Sequence, residues 1–381
     1  MAPRQGVTCT RSCYKGAKLL PQANNVPISR TSIYVAAARA LGARELDPAV
    51  RNPDYLAEIL LGDPTTLNLD HPAVHALGLN YSDAMKESEV ANLVRTMTVR
   101  TRFIDEALVR AVANGARQAV ILGAGLDSRA YRYRDLLYGM RVFEVDRPMT
   151  QEFKRQRVNA ALGGPPPNLV YVAIDFDNED LADIMARNGY DCGQRTFFVL
   201  EGVTMYLPEE VLRTTLGFVA AQTPGSSIVF DFFYRPFVEM LVGINVANLP
   251  ALERPAVQRF LDLTRHEPWM FGIPVGGERE FLGQFGLELR EILAVRSEEA
   301  SKRYLTRADG TEVGRQALVE DAGRAAQRMR AEITDPGRAA QTMSAESARQ
   351  RHRLISCQLA DAVVGRASLL GNASLSGSGT S

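Results

Sequence analysis

The chain has 381 residues, of which 44 are Lys or Arg and 44 are Asp or Glu, so its formal net charge at pH 7 is zero. This balance argues against a nucleic acid or an anionic membrane as partner, and we expect a small-molecule partner instead. The four cysteines form no CxxC pair, so we expect neither a disulfide framework nor a metal site. No apolar run approaches the roughly 20 residues of a membrane span, and the N-terminus lacks a signal-peptide core, so we predict a cytoplasmic protein.

The two ends of the sequence, residues 1–28 and 371–381, are polar and show no hydrophobic periodicity. We expect both to be disordered. After the first of them, apolar residues at helical spacing predict a helical cap or lid over residues 29–115. The cap ends at Gly115, where a different pattern begins.

Residues 116–310 alternate strand-like and helical runs, with strands expected at 118–124, 140–145, 168–174, 196–201 and 226–233. A sixth strand is predicted at 287–295. The Ala/Arg/Glu-rich residues 311–352 are predicted to be a helical insertion, either solvated or used for homo-oligomerisation. A last strand is then expected within residues 353–370. Strands that alternate with helices predict an α/β fold with an open, mainly parallel sheet.

A glycine loop follows the first predicted strand, in "QAVILGAGLDSRAYR" at residues 118–132. In an open α/β sheet such a loop lies where ligands bind, and Gly123 and Gly125 allow the backbone to approach a ligand closely. A dinucleotide fingerprint has a third glycine where this chain has Ser128. The loop therefore predicts a nucleotide-like cofactor other than NAD or FAD.

Acidic residues end the second and third predicted strands. Asp146 ends "FEVD" and is placed to accept hydrogen bonds from a ribose diol, with Glu144 on the same strand face as an alternative. Asp175 ends the third strand, where Phe176 lines an adenine ring in our interpretation, and Asp177 is the alternative acid. Acids at successive strand ends around one glycine loop favour S-adenosylmethionine, which carries no phosphate.

Several stretches of the sequence resemble one known family. They are "VRTRFIDEALVRAVANGARQAVILGAGLDSRAYR", "FEVDRPMTQEFKR", "AIDF" and "FFVLEGVTMYLPEE". Together they resemble the leucine carboxyl methyltransferase superfamily, in particular its bacterial and fungal small-molecule O-methyltransferase branch, over roughly residues 30–310. The resemblance implies a class I methyltransferase, Rossmann-like fold with a seven-stranded sheet, and S-adenosylmethionine as cofactor.

The resemblance also implies which side chains hold the cofactor. The matching positions are Arg102, Gly123, Asp146, Asp175 with Phe176, and Glu201. Arg100, two residues before Arg102, is the alternative for the methionine carboxylate. Phe176 stands where the family usually has Leu.

The methyl acceptor is predicted from position alone. Tyr206, Tyr234, Arg235 and His266 follow the fourth and fifth strands and are candidates for the acceptor side, with no catalytic residue assigned. All four histidines of the chain lie outside the five central strands, which favours a carboxylate acceptor because it needs no general base. A methyl ester of a small organic acid is thus the expected product. A phenolic hydroxyl of a secondary metabolite is the alternative acceptor, and an NAD-linked oxidoreductase is the alternative from another enzyme class.

Overall fold

The computed structural model describes residues 29–63, 69–175, 178–243, 247, 254–314 and 357–365. The expectations for both chain ends, for nearly all of the helical insertion, and for Phe176 and Asp177 lie outside the described residues. Within the described ranges, no helix is both long and apolar enough to cross a membrane.

Seven strands form one sheet in the part of the chain that the structure describes. They are β1 (Gln118–Leu122), β2 (Arg141–Asp146), β3 (Leu169–Ala173), β4 (Thr196–Leu200), β5 (Ser227–Phe232), β6 (Leu287–Ala294) and β7 (Gln358–Val364). Their order is β3-β2-β1-β4-β5-β7-β6, with β7 antiparallel to both of its neighbours and the other pairs parallel. The predicted class I methyltransferase fold is confirmed, including its sixth strand and its last strand.

The central strands are apolar because helices cover both faces of the sheet. Every residue of β1, β4 and β5 is buried, as expected for parallel strands inside a doubly covered sheet. β1 pairs with β2 on one side and with β4 on the other, so the chain reverses its direction of travel across the sheet here. A crevice opens at such a switch point beyond the carboxyl ends of the strands. The loops after β1 and β4 therefore border one site.

The helices form two layers and were predicted in outline. The first five make up the cap: α1 (Arg30–Ala43), α2 (Ala57–Leu61), α3 (Pro72–Ala76), α4 (Tyr81–Ala84) and α5 (Ser88–Ala113). The others are α6 (Arg129–Arg132), α7 (Pro148–Leu162), α8 (Leu181–Arg187), α9 (Glu209–Ala220), α10 (Arg235–Gly243), α11 (Arg254–His266), α12 (Glu278–Gly283) and α13 (Glu298–Tyr304). α6 is a single helical turn of 4 residues, and further turns follow it.

Local sequence signals account for several helix ends. The Ser29 side chain accepts a hydrogen bond from the Ser32 N–H and so caps α1. Pro148 is at the first position of α7, where its missing N–H removes no helical hydrogen bond. The same helix ends at Gly163, whose φ of +73° is left-handed. These signals fix the start of α1 and both ends of α7.

Each face of the sheet has its own apolar core. On one face, Ile33 of α1, Leu60 of α2 and Phe103 of α5 pack with Ile121 and Val199 of the sheet. On the other face, residues of α8, α9 and α12 pack with the alternate strand residues, such as Val120 and Phe198. The cap therefore covers a single face, and α5 contacts β4 and β5.

Candidate cofactor and acceptor site

The two glycines of the loop after β1 do different things. Both have positive φ angles, +67° at Gly123 and +42° at Gly125, which suit glycine and few other residues. A Cβ on Gly123 would stand 2.6 Å from a methyl carbon of Val203, so this glycine makes room for the loop after β4. At Gly125 the nearest atom to such a Cβ, on Ser32, would be 3.8 Å away. Gly125, rather than Gly123, leaves space beside the backbone.

Asp146 lies at the crevice as predicted and is joined to the glycine loop. Its Oδ2 accepts a hydrogen bond from the Gly125 N–H at 2.6 Å, and its Oδ1 accepts one from the Arg147 N–H at 2.7 Å. Burial raises the pKa of Asp146, and these two main-chain hydrogen bonds oppose the rise. A carboxylate has about four acceptor positions, so both oxygens retain capacity for a further donor.

Glu144, the alternative to Asp146, pairs with a lysine inside the protein. It is completely buried, and its carboxylate lies 2.7 Å from the Lys154 ammonium of α7. Burial raises the pKa of Glu144 to about 7, against the opposing effect of Lys154. Of the two acids on β2, only Asp146 borders the crevice.

Glu201, directly after β4, is surrounded by arginines. Its Oε1 accepts a hydrogen bond from Arg100 Nε at 2.9 Å, and its Oε2 accepts one from Arg129 Nη1 at 2.6 Å. Arg39 Nη1 is 3.8 Å away. Burial alone would raise the pKa of Glu201, but the guanidinium groups of Arg129, Arg100 and Arg39 outweigh it and hold the pKa well below its ordinary range. Glu201 is therefore a carboxylate at any physiological pH.

The ion pairs around Glu201 extend into a larger group that we call the charge cluster. Arg100 Nη1 donates to Asp231 at 3.0 Å, and Arg129 Nε donates to Asp105 at 2.7 Å. The cluster consists of Arg39, Asp54, Arg100, Asp105, Asp127, Arg129, Arg132, Glu201 and Asp231. It joins the cap to the glycine loop and to the ends of β4 and β5.

The charge cluster also explains the two charged residues of the glycine loop. Asp127 accepts a hydrogen bond from the Arg129 N–H at 2.7 Å and also pairs with the Arg129 guanidinium. Arg129 then reaches Glu201 and Asp105 with the same side chain. Both residues therefore stabilise the glycine loop. This role could not be assigned from the sequence.

The structure does not bring Arg102 to the crevice, contrary to the expected role. Its guanidinium donates to the carbonyl oxygen of Arg51 at 2.8 and 3.0 Å and to that of Pro48 at 2.5 Å, within the cap. Residues two apart on a helix point about 200° away from each other, so only one of Arg100 and Arg102 can face the sheet. Arg100, the alternative, is the one that does.

Asp175 follows β3, and its hydrogen bonds stabilise the turn that comes after it. Its carboxylate accepts a hydrogen bond from the Asn178 side chain at 2.7 Å, and its own N–H donates to Glu179 at 2.8 Å. The residue is exposed. Contact of Asp175 with an adenine amino group stays a prediction.

Tyr206 borders an aromatic surface. It ends a short 3-10 turn, Thr204–Tyr206, and meets the Trp269 ring edge to face at 6.3 Å. Trp269 also packs against Phe233 at 4.4 Å, Phe260 at 5.3 Å and Phe237 at 6.1 Å. We call these five residues the aromatic wall. It lies beyond the ends of β4 and β5, on the side of α1.

Polar groups from α1 and from Glu267, directly after α11, meet at the aromatic wall. The Glu267 carboxylate accepts hydrogen bonds from the Arg30 N–H at 3.0 Å and from the Thr31 hydroxyl. The Tyr206 hydroxyl lies next to Thr31 and Trp269. Burial raises the pKa of Tyr206 to about 12, so this phenol stays protonated.

The other acceptor candidates are placed differently. Tyr234 is buried on the far face of the sheet, where its hydroxyl donates to Glu278, beside a cavity of about 340 Å³. Arg235 Nη2 lies 3.6 Å from Glu209. His266 ends α11, but its side chain is outside the description. Tyr234 and Arg235 are therefore not brought to the aromatic wall.

The comparison with known proteins now identifies the family. The profile described as leucine carboxyl methyltransferase matches residues 32–220. A relative from Mycolicibacterium gilvum is 30% identical over 252 residues, which cover 62% of this chain and 74% of the relative. The chain belongs to the leucine carboxyl methyltransferase family.

Other family members are similar over a shorter region. A Mycobacterium avium relative, described as a "Putative S-adenosyl-L-methionine-dependent methyltransferase", is 34% identical over 218 residues. These residues are 54% of this chain and 66% of that protein, slightly under two thirds of its length. A relative of the same description from Mycobacterium marinum is 34% identical over 219 residues, covering 55% of this chain and 67% of its own.

Two solved structures are similar to this chain at low sequence identity. A DUF574 family protein from Streptomyces avermitilis is 17% identical with a TM-score of 0.41, over 85% of this chain and 99% of its own. Magnesium protoporphyrin IX methyltransferase from Synechocystis, crystallised with S-adenosylhomocysteine, is 11% identical with a TM-score of 0.35, over 71% and 86%. These values concern the fold alone.

The crevice residues of this family member fit S-adenosylmethionine, the cofactor for which its relatives are named. Gly125 leaves open space where a side chain would project. Arg100 Nη2 makes no hydrogen bond with the described residues. It lies next to Gly202, since a Cβ built on that glycine would stand 3.7 Å from this nitrogen. The Arg100 guanidinium thus suits an amino-acid carboxylate, and the Glu201 carboxylate suits an ammonium group. The Asp146 carboxylate suits a ribose diol.

Sequence reasoning missed most of the aromatic wall and its polar neighbours. Residues on one strand alternate between faces, so Phe233 shares the cap side while Phe232 and Tyr234 point to the other side. The alternation can be read from the sequence, and it would have indicated that Phe233 faces the cap. No comparable signal joins Thr31 to Glu267, which are 236 residues apart.

Proposed function

We propose that this protein is an S-adenosylmethionine-dependent O-methyltransferase that acts on a small organic acceptor. The observation that carries the proposal is Glu201, held between Arg100 and Arg129 and placed across the crevice from the loop that Asp146 fixes. The family assignment supports the cofactor, and the aromatic wall supports a small acceptor that contains a ring.

The residues of the crevice divide the work of binding. Arg100 and Glu201 would hold the amino-acid end of the cofactor, and Asp146 would accept from its ribose hydroxyls, with Gly125 making room for it. When bound, the cofactor supplies a methyl group on a positively charged sulfur. The charge cluster fixes the binding side chains before the cofactor arrives, so little conformational freedom is lost on binding.

The aromatic wall positions the acceptor and keeps water away from it. Ring contacts with Trp269 and Phe233 provide apolar area for an aromatic acceptor. Methyl transfer needs in-line placement of the acceptor oxygen more than covalent help from the protein, so positioning and water exclusion supply most of the rate.

The acceptor oxygen belongs to a carboxylate or to a hydroxyl. The histidine positions favour a carboxylate. Arg235, the cation suggested for seating it, lies instead beside Glu209.

Calorimetry with S-adenosylhomocysteine and with NAD tests the proposed function. We expect binding of S-adenosylhomocysteine with a 1:1 stoichiometry and no heat from NAD. The protein would then be screened against small aromatic acids and phenols for a mass gain of one methylene unit in the product. Failure to bind S-adenosylhomocysteine, or binding of NAD instead, would overturn the proposal.

A further inference from the structure

A cavity of about 340 Å³ lies on the face of the sheet away from the cap, where Tyr234 packs. Small-molecule sites have volumes of about 300–1,000 Å³ and are mostly apolar with a few polar groups. The lining of this cavity has both parts. Its apolar residues are Tyr234, Val275, Leu289 and Ile292, and its charged residues are Glu278 and Arg279.

Main-chain hydrogen bonds hold the walls of this cavity in place. The Arg235 N–H donates to the Ile273 carbonyl oxygen at 2.9 Å, and the Ile273 N–H donates to that of Phe233 at 3.1 Å. The Gly277 N–H donates to the Pro274 carbonyl oxygen at 3.0 Å and closes the turn before α12. α12 then packs against β6. A ligand would therefore meet walls that are already formed, which limits the loss of conformational freedom on binding.

Glu278 and Arg279 bring opposite charges to the cavity without pairing with each other. Glu278 is half-buried, and its Oε1 accepts a hydrogen bond from the buried Tyr234 hydroxyl. Arg279 Nη1 donates to the Leu289 carbonyl oxygen at 3.2 Å. Neither charged side chain forms an ion pair with a residue in the part of the chain that the structure describes. Both are thus oriented by the protein and keep hydrogen-bonding capacity for a ligand.

The two charges are held at different places along the cavity. Glu278 is bonded to Tyr234, just beyond β5, whereas Arg279 is bonded to Leu289 within β6, and β7 lies between these two strands. Neighbouring residues on a helix also point about 100° apart. A ligand that meets both side chains therefore carries its charges at its two ends, with an apolar chain between them.

We propose that this cavity binds a small aliphatic ω-amino acid, with its ammonium group on Glu278 and its carboxylate on Arg279. A ligand with a positive charge alone would be repelled by Arg279, and one with a negative charge alone would be repelled by Glu278. The aliphatic chain would lie against Leu289 and Ile292. This site is separate from the crevice, because Tyr234 points to the other face of the sheet.

Calorimetry with four simple probes at about pH 7 tests the site. The full-length protein would be titrated with 6-aminohexanoate, with hexanoate, with pentylamine and with norleucine. Hexanoate lacks the amine, pentylamine lacks the carboxylate, and norleucine is the isomer that carries both charges at one end. We expect 6-aminohexanoate to bind about tenfold more tightly than hexanoate and about threefold more tightly than pentylamine or norleucine. The second ratio is smaller because Arg279 is exposed, and exposed ion pairs are weak.

Substitutions of the two charged residues test the assignment of each end. In Glu278→Gln, whose amide oxygen can still accept from Tyr234, the preference over hexanoate should shrink to about twofold or less. In Arg279→Met, the preference over pentylamine should disappear. Glu280→Gln is the matched control, since Glu280 is exposed on the same helix and does not line the cavity, and it should keep both preferences. A merely structural effect would weaken all probes alike.

Three results would overturn the inference. They are saturation by none of the probes, equal binding of 6-aminohexanoate and its three analogues, and preferences that survive both substitutions. Binding of S-adenosylhomocysteine is measured separately in the same preparation. The two proposals therefore fail independently, because one concerns the crevice and the other concerns the opposite face of the sheet.

Discussion

The proposed cofactor side and the proposed acceptor side of the crevice are held together by different interactions. On the cofactor side, Arg100, Arg129 and Glu201 are almost fully buried and joined by charged hydrogen bonds of 2.6 to 3.0 Å. At the aromatic wall, Trp269 and its neighbours meet through ring contacts.

This difference indicates how each side responds to substitution. A buried ion pair loses about 3–5 kcal/mol when one partner is removed, because the other charge stays buried. An aromatic contact contributes only about 0.5–1.5 kcal/mol beyond the area that it buries. The cofactor side therefore tolerates little change, whereas the acceptor side can change its ligand without loss of the fold.

The largest expected effect comes from breaking the charge cluster at its centre. Arg129→Met removes the partner of Asp105, Asp127 and Glu201 at once. We expect the free energy of unfolding, measured in urea, to fall by about 3–5 kcal/mol.

Arg134→Met is the matched control, since Arg134 is exposed and pairs only with Asp135 at 3.5 Å among the described residues. It should change the free energy of unfolding by less than about 0.5 kcal/mol. Equal effects of the two substitutions would contradict the structural role given to the cluster.

Acid should weaken the charge cluster before it affects the aromatic wall. Burial raises the pKa of Asp105 and of Glu201, but the neighbouring guanidinium groups outweigh it and leave both values below the ordinary 3.8 and 4.5. Stability from such groups is fully present above the unfolded-state values and is lost as the pH falls through the folded-state values. We therefore expect the urea midpoint to drop steeply below about pH 4.

Asp105→Asn should flatten this pH dependence, because the amide does not titrate. The measurement is the difference in urea midpoint between about pH 6 and about pH 3, in the variant and in the wild-type protein. Parallel curves would show that Asp105 contributes nothing to the acid response.

Arg100 and Arg102 offer a direct comparison within one helix. Arg100→Lys keeps the charge but removes the planar group that bonds Glu201 and Asp231 at once. We expect it to weaken S-adenosylhomocysteine binding about tenfold, or about 1.4 kcal/mol, by calorimetry. Arg102→Lys should leave the affinity unchanged, and the opposite ranking would restore the role first expected for Arg102.

The smallest effect is expected at the aromatic wall. Phe237→Leu removes one ring that contacts Trp269 and Phe233 and keeps an apolar side chain. The free energy of unfolding should fall by about 1 kcal/mol. Cofactor affinity, measured by calorimetry with S-adenosylhomocysteine, should not change. A loss of cofactor affinity here would mean that the two sides are not independent.

The fold and part of the cofactor side were predictable because they depend on local pattern. Apolar runs that end at Gly123, Asp146 and Glu201 placed these residues at the carboxyl ends of strands before any packing was known. Their helical neighbours were harder. Arg100 and Asp105 are buried on α5 only because opposite charges from the loop after β1 and from the ends of β4 and β5 meet them there. A polar residue on a helix gives no local sign of such partners.

The acceptor side was predicted less well because its parts are distant in sequence. Tyr206 was identified from its place after β4, but Trp269 and Glu267 come from the segment after α10 and meet α1 only through tertiary packing. Tyr234 lies on the other face of the sheet, because strand alternation places Phe233 at the wall instead. A shift of one residue along a strand moves a side chain to the other face of the sheet, and this matters most at the strand ends that border the crevice.

The order of the strands has a consequence for how the protein is made. β7 is the last strand in sequence, yet it lies between β5 and β6 and bonds to both. Until residues 357–364 have left the ribosome, one edge of β5 and one edge of β6 lack their partner. Unpaired strand edges invite pairing with other chains. The nascent protein therefore carries an aggregation risk from the synthesis of β5 until that of β7, and a chaperone that shields β5 would raise the yield of folded protein.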